Sequence, residues 1–265
     1  MGESILYVYG IVPSALDPAG APAGIDATPV AVEREGALSA LLSRFDREEF
    51  ASERIEARVG DVGWVGPRAV AHDAVLTWAS DAGPVVPLPM FTLFSDAEAI
   101  RGMLRERAEV LDRLLSRVAA GQEYALRIFR LDDVLAGRMG ELSPRVAELE
   151  KAASAASPGQ RYLLERKADA ARTAELRDVA AKVARDSYAS LSRLALLAAT
   201  EPIATNDASR AAGVAVLNAF FLVARDAENS FREAVAARAS SQEPLGFRFD
   251  FTGPWPPYHF VRDPS

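Results

Sequence analysis

Near its C-terminus the chain writes a strand and then forbids it to continue. Phe247, Phe249 and Phe251 alternate with Arg248, Asp250 and Thr252, the period-two pattern of a strand with one face buried. Gly253-Pro254-Trp255-Pro256-Pro257-Tyr258-His259-Phe260 follows, and three prolines without N–H donors cannot extend a sheet ladder. A fold is therefore required in which this strand closes a sheet and a stiff aromatic tail lies elsewhere. The tail has two readings, a segment folded back over an exposed edge with Trp255 as a plug, or an anchor for a partner protein. Tryptophan and tyrosine dominate interface hot spots, and proline lowers the entropy lost on ordering.

Upstream, the period switches repeatedly between two and 3.6. Residues 5–12 are β-branched and aromatic and read as a strand buried on both faces. Residues 30–33 and 38–45 read as shorter strands around Glu35-Gly36, and 46–59 carry no firm pattern. Val70, Ala71, Ala74, Val75 and Trp78 mark a helix from about Pro67 to Ser80, ended by Asp81-Ala82-Gly83-Pro84. Pro87 and Pro89 restrict 85–94 to an edge or bulged strand. Ser95 with Glu98 reads as a capping box for a helix reaching Gly121. Residues 124–131 read as a strand, and Ser157-Pro158-Gly159 as a stop and restart before one long helix from Gln160 to about Ala199. Short strands at 203–205 and 213–223, a helix at 226–238 and the phenylalanine strand complete the order. The fold class expected is α+β in two domains. Residues 1–121 form a mixed α+β domain; residues 122–265 form a ferredoxin-like βαββαβ domain with a long helix and the proline-aromatic tail.

The residues offer little chemistry. A net charge of -7 and a pI near 5.1 supply no basic field for nucleic acid or anionic lipid. Without cysteine there is no disulfide framework, thiolate site or cysteine nucleophile. The two histidines, His72 and His259, lie far apart in sequence, which argues against a histidine metal centre. The longest apolar run, 211–224, is shorter than the roughly 20 residues that span a bilayer, and the first residues lack a signal-peptide pattern; a cytoplasmic location is expected. No phosphate loop, nucleophile elbow or zincin motif occurs, and the glycines between 60 and 66 read as a loop. His72-Asp73 reads either as a general base or ligand needing partners from elsewhere, or as a helix histidine hydrogen-bonded to a neighbouring strand with Asp73 exposed. Asp132-Asp133 and Glu48-Glu49 read as solvated carboxylates near helix starts or in loops.

Four stretches, in order, resemble the gas vesicle protein F/L (GvpL/GvpF) family over nearly the whole chain. They are Tyr7-Val8-Tyr9-Gly10-Ile11; His72 with Val75-Leu76 and then 85–91, including Pro87 and Phe91; Pro158-Gly159-Gln160-Arg161-Tyr162-Leu163 with Arg166-Lys167; and 252–260. The chain departs from the family pattern at Met90, where arginine is usual, and at Thr92-Leu93, where Gly-Thr is usual. The resemblance implies a non-enzymatic accessory or minor structural protein of gas vesicles without cofactor or metal. It implies contact with the hydrophobic major shell protein (GvpA-like) and with other accessory proteins, through a partner surface that would include Pro254, Trp255, Pro256, Pro257, Tyr258 and Phe260. It also implies a two-domain α+β fold with a ferredoxin-like second domain, and His72, Pro87, Phe91 and Tyr162 as motif residues. The rival class is a small-molecule-binding or enzymatic ferredoxin-like protein with an inter-domain site near His72. That class requires a polar pocket gathering His72 with several carboxylates or arginines.

Overall fold

In the computed structural model residues 4–203 and 213–262 are described. The chain divides into two compact units, Met1–Glu123 with Pro254–Ser265, and Tyr124–Gly253. Both mix helix and sheet, so the class is α+β.

The first unit is built on β1 (Ser4–Pro13), whose residues Leu6 to Val12 are buried almost without exception. It pairs antiparallel with β3 (Leu38–Asp46), which pairs in turn with β2 (Ala31–Glu35) across the Gly36 turn. On its other side β1 meets a broken edge: β4 (Val86–Pro87) opposite Gly10 and Ile11, and β5 (Leu93–Phe94) opposite Leu6 and Tyr7. Residues 88–92 bulge between them, as two prolines in one edge strand require. The β1–β3 register also slips between Val8 and Gly10, leaving Tyr9 to fill the core.

The unpatterned stretch after β3 contains a short helix, α1 (Ser52–Arg58). The next helix starts five residues earlier than the stripe from Pro67 suggests: α2 runs Val62–Ala82, and Gly63 and Gly66, from the stretch read as a loop, lie in its first turns, while Gly60 precedes it in a turn. Asp61 sets this start by accepting from the Gly63 N–H at 2.9 Å, an N-cap bond. α2 lays Val75, Leu76 and Ala79 against Tyr7, Tyr9 and Leu41. The segment expected as one helix from Ser95 to Gly121 is two, α3 (Ala97–Glu106) and α4 (Ala108–Val118), broken at Arg107. The capping residue is Asp96, not Ser95; its carboxylate accepts from Ala99 N at 2.9 Å, while the Ser95 hydroxyl donates to that carboxylate.

In the second unit β6 (Gly121–Arg130) leads into three helices, α5 (Asp132–Leu142), α6 (Pro144–Ala155) and α7 (Pro158–Ser192). Then come β7 (Leu197–Thr200), β8 (Val214–Ala224), α8 (Glu228–Gln242) and β9 (Phe247–Trp255). The sheet order is β7-β8-β6-β9. Tyr124, Leu126 and Ile128 of β6, Ala219, Phe221 and Val223 of β8, and Phe247 of β9 meet Phe231 and Val235 of α8 and Ala180, Ala184 and Leu191 of α7. Phe249 and Phe251 join this core, with Phe251 stacked on Tyr124 at 5.5 Å.

The long helix ends seven residues before the expected Ala199. Leu194 to Ala199 carries no charge and satisfies a helical and an extended pattern alike. Pairing decides it, with Leu197 to Thr200 opposite Leu222 to Ala219. The second described strand of this half is therefore β7; of the strand expected at 203–205, Ile203 is outside any strand, and Ala204 and Thr205 lie outside the described residues. Ala211, where the longest apolar run begins, does so as well.

Gly10 sits where α2 and β4 close on β1. A Cβ there would lie 2.8 Å from Leu76 Cδ2 and 2.9 Å from the Val86 carbonyl oxygen. Gly10→Val should therefore lower the unfolding free energy by about 1–3 kcal/mol, the usual cost of overpacking, as measured by urea denaturation; an unchanged midpoint would show that the three elements can separate there.

Candidate functional site

The first unit buries a histidine that pairs with no charged side chain among the described residues. His72, on the sheet-facing side of α2, is 3% exposed. Its Nδ1 lies 2.7 Å from the Tyr7 hydroxyl on β1. A second bond reaches the Leu88 backbone, yet burial dominates and pushes the imidazole down to about 4. The ring is therefore neutral near pH 7 and has one N–H. The arrangement that satisfies every group places that proton on Nε2, donating to the Leu88 carbonyl, while Nδ1 accepts from Tyr7 O–H. Burial raises the Tyr7 phenol well above its ordinary range, opposed by a bond from the Phe91 backbone N–H. The series Phe91 N–H, Tyr7 O–H, His72 and Leu88 C=O thus fixes both ends of the β4–β5 bulge to β1 and α2.

The bulge needs that support. Phe91 has φ of 63°, left-handed backbone that costs a bulky residue on the order of 1–3 kcal/mol. Its ring stacks on Trp64 of α2, 5.4 Å between centroids and 11° between planes; Arg68 covers Trp64 at 4.3 Å and pairs with Asp26 at 2.7 Å. Thr92 closes the turn through its hydroxyl on the Pro89 carbonyl at 2.7 Å. Thr92 stands in ordinary backbone, and the left-handed residue of the bulge is Phe91. Pro87 is buried in β4 opposite Gly10.

Beside the bulge lies a cleft of about 540 Å³, walled by Pro87, Leu88, Pro89 and Met90 and by Tyr258 and Val261 of the tail, with His72, Asp73 and Arg262 also at its surface. One carboxyl group and one guanidinium are the charged groups at that wall. Among the described residues no cluster of three or more His, Cys, Asp or Glu side chains could hold a metal ion.

The tail is tied down within the same unit. Tyr258 O–H donates to Asp73 Oδ1 at 3.0 Å, and burial, followed by the Asp73 charge, raises its phenol far above the ordinary range. Asp73, expected on the exposed side of its helix, is half-buried and engaged by this bond. The nearly buried Glu123 accepts from the His259 backbone N–H at 2.9 Å and meets its Nδ1 at 2.5 Å. Pro256, Pro257, Phe260 and Val261 are buried, Pro254, Tyr258 and His259 half-buried, and Trp255 39% exposed. Of the six expected partner-binding residues, Trp255 is the one presented outward. Tyr162 is in the second unit, on the first turns of α7, and is 60% exposed. Asp132 and Asp133 occupy the first turn of α5, with Asp132 paired to Arg130 at 2.7 Å.

Sequence reasoning reached His72 and the tail but not Tyr7 as the histidine's partner, nor Glu123 as the tail's. A carboxyl group directly before the apolar run that begins at Tyr124 was the available signal for Glu123. Tyr7 carried none beyond its place in an apolar run.

Over residues 5–262 the sequence matches the family described as gas vesicle synthesis protein GvpL/GvpF. The chain belongs to the GvpL/GvpF family. It is 29% identical to gas vesicle protein L of Streptomyces sp. (strain CB03234) over 265 residues, covering 98% of this chain and 93% of that protein. It is 26% identical to gas vesicle protein F2 of Halobacterium salinarum (strain ATCC 700922 / JCM 11081 / NRC-1), covering 98% and 94%. Its fold is similar to the crystal structure of gas vesicle protein GvpF from Anabaena sp. PCC7120, with a TM-score of 0.72 at 19% identity over 99% of this chain and all of that one. The Microcystis aeruginosa GvpF structure gives 0.66 at 20% identity over 97% and 99%. No helix among the described residues is long and apolar enough to cross a membrane.

The His72 geometry has a pH signature. With a folded value of about 4 against about 6.5 in the unfolded chain, the unfolded state takes up the proton first. The stabilisation is complete above about pH 6.5 and is lost as pH falls towards 4, at up to about 1.4 kcal/mol per pH unit. Imidazole NMR should show a neutral ring with the proton on Nε2 at pH 6, and His72→Gln should flatten the acid limb of the stability profile. A ring titrating near 6.5 would contradict the arrangement.

Proposed function

We propose that this GvpL/GvpF family member is a non-enzymatic accessory or minor structural protein of gas vesicles, which binds the hydrophobic major shell protein (GvpA-like) and assists vesicle assembly. The observation that carries the reading is the family match along 5–262, whose description names gas vesicle synthesis. The chemistry of the first unit agrees with it: His72, the residue best suited to acid–base work, has both ring nitrogens engaged in holding the bulge, and it is neutral there. A location in the cytoplasm at gas vesicles belongs to the same reading, as do contacts with other accessory proteins.

On this reading residues 124–253 are a ferredoxin-like domain. The order β6-α5-α6-α7-β7-β8-α8-β9, a β-α-β-β-α-β order with three helices in its first crossover, and the sheet order β7-β8-β6-β9 support that description. The division into two compact units supports two domains, with the tail from Pro254 counted in the first. The shell-binding surface is assigned to Trp255, with half-buried Pro254 before it. The remainder of the tail serves the first unit's core.

Capture of co-expressed major shell protein on the tagged full chain tests this. Trp255→Ala should reduce capture at least fivefold while leaving the thermal unfolding midpoint within a few degrees of wild type. Tyr258→Phe, which removes the Asp73 bond, should lower the midpoint and retain capture. Failure of the wild type to capture the shell protein would overturn the shell-binding reading; undiminished capture by folded Trp255→Ala would remove the tail from the interface.

A further inference from the structure

α7 carries a face that the fold does not use. It is 35 residues long, about 50 Å at 1.5 Å per residue. On the side towards α6 its first turns are fully engaged. Arg172 bonds Glu150 of α6 and also Asp169, Arg161 donates to the Ala153 carbonyl, and Ala168 and Ala171 are buried. The opposite side follows helical spacing through Gly159, Tyr162, Leu163, Arg166, Lys167, Ala170 and, two turns on, Arg177. Tyr162 is 60% and Leu163 61% exposed, and the three cations are exposed. Arg166, Lys167 and Arg177 make no ion pair with any described residue.

The combination is unusual for this chain. Its formal net charge is -7, and Lys182, farther along the same helix, is paired with Asp186 at 2.7 Å. Here three unpaired cations flank an exposed Tyr-Leu pair; of the exposed carboxylates that border the stripe, Asp169 is already paired with Arg172 and Asp178 lies at its far edge. An aromatic anchor beside arginines is the composition of an interface hot spot, and a local positive field on an acidic protein selects an acidic partner.

We propose that the exposed face of α7 between Gly159 and Arg177 is a docking surface for an acidic amphipathic helix of another protein, separate from the Trp255 contact and not dependent on it. The partner's apolar side chains cover Tyr162 and Leu163, and its carboxylates meet Arg166, Lys167 and Arg177. From Tyr162 to Arg177 the face extends about 22 Å, the length of a partner helix of about 15 residues. A second copy of this chain is disfavoured as occupant because two chains of the same net charge repel. A bilayer is disfavoured because two apolar side chains give little area for insertion.

The test uses the full chain and a fluorescein-labelled, 18-residue amphipathic helix of leucine and glutamate, with the same sequence carrying lysine for glutamate as its opposite. The acidic peptide should bind by fluorescence anisotropy, the basic one should not, and raising the salt from 50 to 300 mM should weaken binding at least fivefold. Arg166→Glu with Lys167→Glu should weaken it at least tenfold, and Tyr162→Ser with Leu163→Ser at least fivefold. Arg113→Glu with Arg117→Glu on α4, an equal change of net charge, should leave it within twofold. All three double variants alter exposed side chains, and circular dichroism with thermal unfolding confirms that they fold. The proposal is overturned if both peptides bind alike or if the α7 variants bind as wild type. It is also overturned if sedimentation shows a wild-type dimer lost in the charge-reversed variant, or if phosphatidylglycerol vesicles bind this face while the acidic peptide does not.

Discussion

The hydrogen bond between Tyr7 and His72 is the interaction on which the first unit's architecture rests. A strand covered on both faces ordinarily excludes polar side chains, because an unpaired buried donor or acceptor costs roughly 1–3 kcal/mol. β1 carries two tyrosines at full burial. Tyr7 is satisfied by His72 and by the Phe91 backbone. Tyr9 accepts from Ile25 N–H and donates to Ser43, which itself donates to the Pro29 carbonyl. Each tyrosine therefore fixes a loop to the central strand, Tyr7 the 88–91 bulge and Tyr9 the 25–29 turn. Removing either hydroxyl would orphan partners in two other segments.

That network also accounts for the strain beside it. A left-handed phenylalanine persists only where its surroundings determine the backbone. Here the Phe91 N–H is directed at Tyr7 and its ring at Trp64. Arg68 on the far side of Trp64 completes a stack of cation, indole and phenyl groups, anchored by the pair to Asp26. The bulge is thus held from below by hydrogen bonds and from the side by stacking. Met90 contributes to the cleft wall rather than to this network.

What the sequence disclosed follows from how local each determinant is. The proline-broken edge and the two-face burial of β1 are set by side-chain alternation and by missing donors within a few residues, and appear where expected. The phenylalanine strand begins where expected but runs on through Gly253 and Pro254 to Trp255, because β9 is an edge strand, where a proline without its N–H donor is tolerated. The errors fall where a distant partner decides. Leu194 to Thr200 is equally compatible with helix and strand until β8 supplies the pairing. The start of α2 depends on Asp61 reaching forward to the Gly63 N–H, a bond that helps make Val62 to Gly66 helical despite its loop-like composition. The break at Arg107 divides an apolar stripe that runs on through both helices. For the candidate site, residue types such as His72 and Trp255 were legible, but their partners were not, because Tyr7, Asp73 and Glu123 come from separate elements.

The tail itself divides at Trp255. Beyond it the side chains answer to the first unit: Pro256 and Pro257 are buried, Tyr258 holds Asp73, Glu123 holds His259, and Phe260 and Val261 enter the interior. These prolines do what a pre-ordered segment does best, reducing the entropy lost on docking within the same chain rather than on a partner. Burial of this kind explains the dense aromatic and proline composition without any interface. The indole of Trp255 remains at the surface, as do Tyr162 and Leu163 on α7, which stay exposed among the described residues.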